Sequence, residues 1–310
     1  MQTNYQDPRF RLMGHWQENS EGELVSYKRI AMAAIRFRGT QITVNARLDD
    51  DALWYLDDVQ VEPQVLADGF QFWAEDGEHR LKVVLVSPSR MYLRDAQTDG
   101  EFLAPEERPY VHFIGDSITH AYPGYASAAG EKLGVDYSVS AHCGMSLVDG
   151  WGWYPLIEGL KARIGMESNY FQLETPDVSS VFTPCRFAYS AVPDVIVIYL
   201  GVNDYLTEGP TFKDENPEIF AQKYTAFVRK LRQRYPDVPV VMLQCHLPDR
   251  TIRIHAIADA YERICREMDK VFLTDTHLWN VAVCSDKVHP SAEGYGQIAA
   301  AMADVLKKLI

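Results

Sequence analysis

The sequence predicts an α/β protein in which a parallel sheet lies between helices and a smaller all-β sandwich of jelly-roll type precedes it. Three observations carry this prediction. The first hundred residues alternate apolar and polar side chains in short runs separated by turn residues. The remainder alternates apolar strand-like runs with helical patterns. Between them, Ala104-Pro105-Glu106-Glu107-Arg108-Pro109 carries two prolines and three charges and reads as a linker. A chain of 310 residues exceeds one ordinary core, so the expected domains are 1–105 and 106–310.

In the first domain Ile42, Val44, Ala46 and Leu48 alternate with Thr43, Asn45 and Arg47, the period of a half-buried strand. Leu81, Val83 and Leu85 form a second such row, and Val59 and Val61 follow the turn signal Asp57-Asp58. In the second domain, strand-like runs occupy Val111–Ile114, Val195–Leu200, Val238–Leu243 and Val271–Leu273, with a weaker one near Tyr137–Val139. Pro217 to Arg234 sets Ile219, Phe220, Tyr224, Phe227, Val228 and Leu231 on one helical face. Further helices are expected over 252–268 and 292–309. Such alternation implies a parallel sheet covered on both faces, with its site beyond the carboxyl ends of the strands. Residues 150–193, which open on Gly150-Trp151-Gly152-Trp153-Tyr154-Pro155, show no clear period and read as a long insertion near that site.

Composition excludes several functions. Apolar residues make up 47% and charged residues 24%, the balance of a globular protein. No apolar run approaches the roughly 18 residues of a membrane span. The net charge of −13 repels phosphate backbones and anionic lipid, so neither nucleic acid nor membrane is an expected partner. The cysteines Cys143, Cys185, Cys245, Cys265 and Cys284 show no CxxC spacing, which argues against a disulfide framework or a structural zinc. The N-terminal residues lack the basic-then-apolar layout of a secretory signal, so the expected address is cytoplasmic unless a signal has been removed.

Three motifs fall at carboxyl ends of expected strands. Gly115-Asp116-Ser117-Ile118-Thr119 places a serine where a helix begins, beside unsatisfied N–H groups and the positive end of a helix dipole. Gly201-Val202-Asn203-Asp204 offers a side-chain amide that can donate to an oxyanion. Asp286-Lys287-Val288-His289-Pro290 spaces an acid and an imidazole for local pairing, which fixes one tautomer. Each motif alone reads more readily as a turn or a helix cap than as a site. Together, in the order Ser, Asn, Asp and His on one sheet, they resemble the SGNH hydrolases, also called the GDSL family.

That resemblance covers residues 110–310 and implies a flavodoxin-like sheet and a serine esterase. Its first block corresponds to Gly115-Asp116-Ser117, with Ile118 where leucine is usual. Its third block matches Gly201 to Asp204 and its fifth Asp286 to His289. For the second block, which supplies a glycine N–H to the oxyanion hole, the best match is Gly144 in Ser140-Ala141-His142-Cys143-Gly144, a stretch that departs from the usual pattern. The leading β domain, with Phe37-Arg38-Gly39-Thr40 similar to a turn found there, resembles the second carbohydrate-esterase family, whose members remove acetyl groups from sugars. The implied assignments are Ser117 as nucleophile, His289 as base, Asp286 as its orienting acid, and Ser117, Gly144 and Asn203 as the oxyanion hole. The implied partner is a small acetylated carbohydrate, with a further oligomer left open.

No metal or organic cofactor is needed for such a reaction. Another ester, such as a lysophospholipid or thioester, and an inactive carbohydrate-binding protein are the rival readings. Tyr205 and Trp279 follow strands and are candidates to stack on a sugar ring; Trp151 and Trp153 are weaker ones. His112 is expected to pack within the first strand, while His120, His142 and His246 are candidates to line the cleft. Cys143 and Cys284 are expected to be buried.

Overall fold

The computed structural model describes residues 1–27, 29–86, 90–152, 164–173, 183–206, 217–244 and 252–310, leaving out the side chains of 205, 206, 217 and 252–257. By its contacts the chain forms two compact units. One comprises Met1–Arg108 and Leu173–Ala191, the other Pro109–Gln172 and Val192–Ile310.

The regular structure described in the first unit is strand, and its pairings are antiparallel. Its frame is a pair of long strands, Ile30–Leu48 and Gly69–Val86. Their register shifts between Gly39 and Gln41. The consequence shows in the side chains. Ala31, Ala33, Ile35 and Phe37 belong to the core before the shift, and Ile42, Val44 and Ala46 after it. Between Gly39–Gly77 and Gln41–Trp73 one strand advances two residues and its partner four, and across this irregularity the buried set moves from odd to even positions, so both halves of the strand feed a single core. The Asp57-Asp58 signal is a two-residue hairpin turn with φ of 52° and 63° joining Leu56 to its partner Val59. The expected linker is tied down within this unit, since Arg108 pairs with Asp58 at 2.8 Å.

The second unit holds five parallel strands in the order Asp136–Ala141, Tyr110–Gly115, Val195–Tyr199, Val240–Leu243, Val271–Thr274. In chain order this is 2-1-3-4-5. The first four strands to appear along the chain are buried throughout, which explains their unbroken apolar runs. Right-handed crossovers put helices on opposite faces when the direction of strand addition reverses. The helix packing follows: Tyr125–Leu133 meets Ala292–Leu306, and Pro217–Arg234 meets Ile252–Glu267. The reversal leaves a crevice between the carboxyl ends of Tyr110–Gly115 and Val195–Tyr199.

The segment 150–193 departs from its reading as one insertion. Its described part splits between the units, with the helix Met166–Asn169 in the second. In the first, Arg186 N–H donates to Gln17 Oε1 at 2.8 Å and Ala191 N–H to the Leu12 carbonyl at 2.7 Å. Trp153 lies outside the described residues.

Candidate active site

The Tyr110–Gly115 strand turns directly into the one-turn helix Ser117–His120. Gly115 makes that turn possible, because a Cβ there would lie 2.0 Å from Thr119 Oγ1. Asp116 caps the helix, its Oδ1 accepting from the Ile118 N–H at 3.0 Å. Ser117 therefore stands first in the helix and remains partly accessible.

The acid and the imidazole sit in a turn closed by the Val283–Pro290 bridge, where Cys284 N–H donates to the His289 carbonyl at 2.8 Å. Asp286 Oδ1 accepts from the N–H groups of Val288 at 2.9 Å and His289 at 3.0 Å. Its Oδ2 lies 2.7 Å from His289 Nδ1. The Val288 N–H above all, then the imidazole, hold the Asp286 carboxyl down at about 2. An ionised carboxylate only accepts, so Nδ1 carries the hydrogen and Nε2 presents its lone pair. Ser117 Oγ lies 2.8 Å from that Nε2. Residues 172 positions apart are thus brought into one hydrogen-bonded row of serine, imidazole and carboxylate.

The glycine and the asparagine meet on the other strand ends. Gly144 follows the Asp136–Ala141 strand with φ of 74°, a left-handed backbone that favours glycine. Asn203 is buried and donates from Nδ2 to the carbonyl of Met145 at 3.1 Å, which sets its amide beside the residue after Gly144. The Tyr261 hydroxyl donates to the Leu200 carbonyl and anchors the approach to the Asn203 motif.

Two buried carboxylates, Asp116 and Asp204, carry little distinguishing signal in the sequence. Asp204 is fully buried and accepts from Leu147 N–H at 2.8 Å and Val148 N–H at 3.0 Å. It ties the Asn203 motif to the loop that follows Gly144. Burial pushes its carboxyl up to about 7 against the pull of those two N–H groups. Burial also raises Asp116 to about 7, with the charge of Asp204 adding to the shift. The signal in the sequence is an aspartate inside each of two strand-end motifs with no lysine or arginine near it.

The remaining candidates sort differently. His112 is buried in its strand and bonds Ser138 Oγ, as packing requires. His120 and His142 lie ring to ring at 5.2 Å, with the Nδ1 atoms on the Ala141 and Cys143 carbonyls. Trp151 is buried. Trp279 ends the 3-10 turn Thr276–Trp279 and is half-buried. Among the described residues its indole makes no hydrogen bond or ring contact with Ser117 or His289. The Tyr205 side chain and His246 lie outside the described residues. Cys143 and Cys284, expected to be buried, are exposed and in no disulfide, because each sits on a loop beyond a strand rather than inside one.

The model of the GDSL-like lipase/acylhydrolase family matches residues 113–297, which span all three motifs. The chain belongs to this family. It is a serine ester hydrolase of the GDSL type. No curated protein matches its sequence. Among solved structures, a family two carbohydrate esterase from Cellvibrio japonicus is similar with a TM-score of 0.72 at 16% identity, covering 100% of this chain and 97% of that one. A carbohydrate esterase family 2 enzyme with a carbohydrate binding domain, from Corynascus thermopiles (Myceliophthora fergusii), gives 0.69 at 20% identity over 97% and 99%. An acetyl xylan esterase from the rumen bacterium Butyrivibrio proteoclasticus gives 0.68 at 16% identity over 99% and 98%. At these identities the likeness is one of fold.

Proposed function

We propose that this GDSL hydrolase removes acetyl groups from carbohydrates, with acetylated xylo-oligosaccharides as representative substrates. The observation that carries the reading is the row Ser117 Oγ, His289, Asp286, with separations of 2.8 and 2.7 Å. The sugar preference is supported by the full-length fold likeness to carbohydrate esterases. The strand-rich first unit, Met1–Arg108 with Leu173–Ala191, is then a jelly-roll-like accessory domain where the sequence led one to expect 1–105, and the second unit is the catalytic part expected over 106–310.

In this mechanism His289 Nε2 takes the Ser117 proton as Oγ attacks the ester carbonyl, and Asp286 stabilises the imidazolium. The oxyanion receives the N–H groups of Ser117 and Gly144 and the Asn203 amide. Collapse breaks the bond to the sugar oxygen, which leaves with the proton from His289. Water, deprotonated by His289, then attacks the acetyl-serine and releases acetate and free Ser117. Tyr205 and Trp279 are proposed to stack on the sugar ring.

The test compares kcat/KM for acetyl, butyryl and octanoyl esters and measures acetate release from acetylated xylo-oligosaccharides. Acetyl preference with acetate release is expected. Best turnover of octanoyl esters with no acetate from sugars would replace the reading by a lysophospholipase or thioesterase. Failure of a fluorophosphonate to label Ser117 in the folded protein would point to an inactive binding protein.

A further inference from the structure

The outward side of the first unit's sheet has a composition that its core does not explain. Neighbouring strands align Gln2 with Gln97, Gln97 with Thr43, Thr43 with Gln71, and Gln71 with Gln64. One row across five strands therefore carries four amides and a hydroxyl. At the usual strand spacing it is roughly 20 Å long. Side chains on one face alternate with those on the other, and the positions between these, including Ile42, Val44, Phe72 and Ala96, are buried in the core. The row thus faces away from the core. Gln2, Gln64 and Gln97 are exposed, and Thr43 and Gln71 half-exposed.

Trp73 lies on the same face, two residues along the strand from Gln71, and is 54% exposed. Its strand partner is Gln41. The next row is polar as well, with Asn45 donating to Asp95 at 2.6 Å. Among the described residues, the side chains of Gln2, Gln64, Gln71 and Gln97 make no hydrogen bond within the protein, and the Trp73 ring makes no aromatic or cationic contact. Each amide keeps two donor hydrogens and an acceptor oxygen in hand.

The occupant follows from that chemistry. The row is uncharged in a chain with 43 acidic and 30 basic residues, so it is matched to an uncharged partner. Nucleic acid needs basic contacts to phosphate. A membrane surface needs a broad apolar face with basic residues, and here a single indole stands among amides. An extended peptide adds at a sheet edge through main-chain bonds, whereas this row lies across the face. A neutral chain dense in hydroxyl groups, with rings whose C–H faces can lie on an indole, uses every group present. We infer that the outward face bearing Gln2, Gln97, Thr43, Gln71, Gln64 and Trp73 binds neutral glycan chains through hydrogen bonds to the amides and stacking on Trp73. This binding is distinct from ester cleavage and does not require Ser117.

The test is affinity electrophoresis of the full chain in gels containing soluble arabinoxylan or hydroxyethylcellulose, beside hydrolysis of a soluble acetyl ester. The wild type is expected to be retarded in at least one of these gels. Trp73→Ala should weaken retardation about tenfold, and Gln71→Ala with Gln97→Ala about threefold or more. Trp73→Tyr should restore most of it. All should keep the wild-type melting temperature and wild-type hydrolysis of the soluble ester. Equal retardation of wild type and Trp73→Ala would overturn the inference, since the catalytic cleft is shared by both. Absence of retardation in either neutral polymer, or retardation only by a charged polymer that salt abolishes, would overturn it too. Loss of glycan binding with intact ester hydrolysis, or the reverse, separates this surface from the proposed esterase function.

Discussion

Asp286 and Asp204 are the same side chain, each accepting two backbone N–H groups, and their carboxyls are displaced in opposite directions. Asp286 stands on an exposed turn, accepts from Val288 and His289, and is held at about 2. Asp204 is buried, accepts from Leu147 and Val148, and is pushed up to about 7. Equivalent hydrogen bonds therefore do not fix the outcome; solvent does. In water the backbone donors and the imidazole add to an ion that is already solvated. In the interior the loss of hydration exceeds what two N–H groups return. The exposed carboxylate is kept charged next to an imidazole, as the orientation of His289 requires. The buried one holds two loops together, and its charge is a cost of that position.

The largest effect should come from the row that contains Asp286. Ser117→Ala removes the attacking oxygen, and kcat for an acetyl ester should fall by roughly 10⁴- to 10⁶-fold with an unchanged melting temperature. Retained turnover in the folded variant would remove Ser117 from the mechanism. Asp286→Asn should follow. An asparagine amide can present a hydrogen to Nδ1 and favour the tautomer with hydrogen on Nε2, where it faces the Ser117 hydroxyl. A fall of roughly 10²- to 10⁴-fold in kcat is expected, with KM little changed. Wild-type turnover in this variant would mean that the exposed carboxylate does not orient His289. Asn203→Ala should cost roughly 10²- to 10³-fold in kcat, the loss of one oxyanion donor. A change confined to KM would assign Asn203 to substrate binding.

The same contrast explains what could be read from the sequence. The strands are legible because burial on both faces writes continuous apolar runs: the run 195–200 marks Val195–Tyr199 and the run 111–114 marks Tyr110–Gly115. Pro217–Arg234 was marked by its stripe and occupies the expected span. Tyr125–Leu133 carries little signal in the sequence, since it is short and its Tyr-Ala-Ser-Ala-Ala-Gly start has a weak stripe. Asp286 and His289 were legible because their pairing is local, three residues apart. Asp204 was not, because its partners Leu147 and Val148 lie more than fifty positions away and are backbone groups that no side-chain pattern marks. The amide row across the first unit was equally hidden. Each glutamine looks like an ordinary solvent-facing strand residue, and only the register puts them in line.

The smallest effect, and the one that tests the contrast most directly, is the pH dependence of stability in Asp204→Asn. A group with a raised folded-state pKa binds its proton more tightly when folded, so between about 4 and about 7 the native state holds more protons than the unfolded chain. Its contribution is fully present below about 4, the unfolded value, and is lost as pH rises through about 7. Asp286 has the opposite sign. Its contribution is present above the unfolded value and lost as pH falls through about 2. Asparagine at 204 keeps one acceptor and turns an N–H₂ group toward a backbone donor, so the variant should melt lower at every pH, by about 1–3 kcal/mol where the wild-type carboxyl is protonated. The gap between wild type and variant should then narrow by several degrees as pH rises from 4 to 7, because only the wild type carries the burden of ionising in the interior. Neighbouring Asp116 titrates in the same range and is freed of the Asp204 charge in the variant, so its own ionisation costs less there and narrows the gap in the same direction. Thermal melts of the two proteins at half-unit steps from pH 4 to 8 measure this. A gap that widens with rising pH would mean that Asp204 is ionised at little cost, and the two aspartates would then differ in place but not in physics.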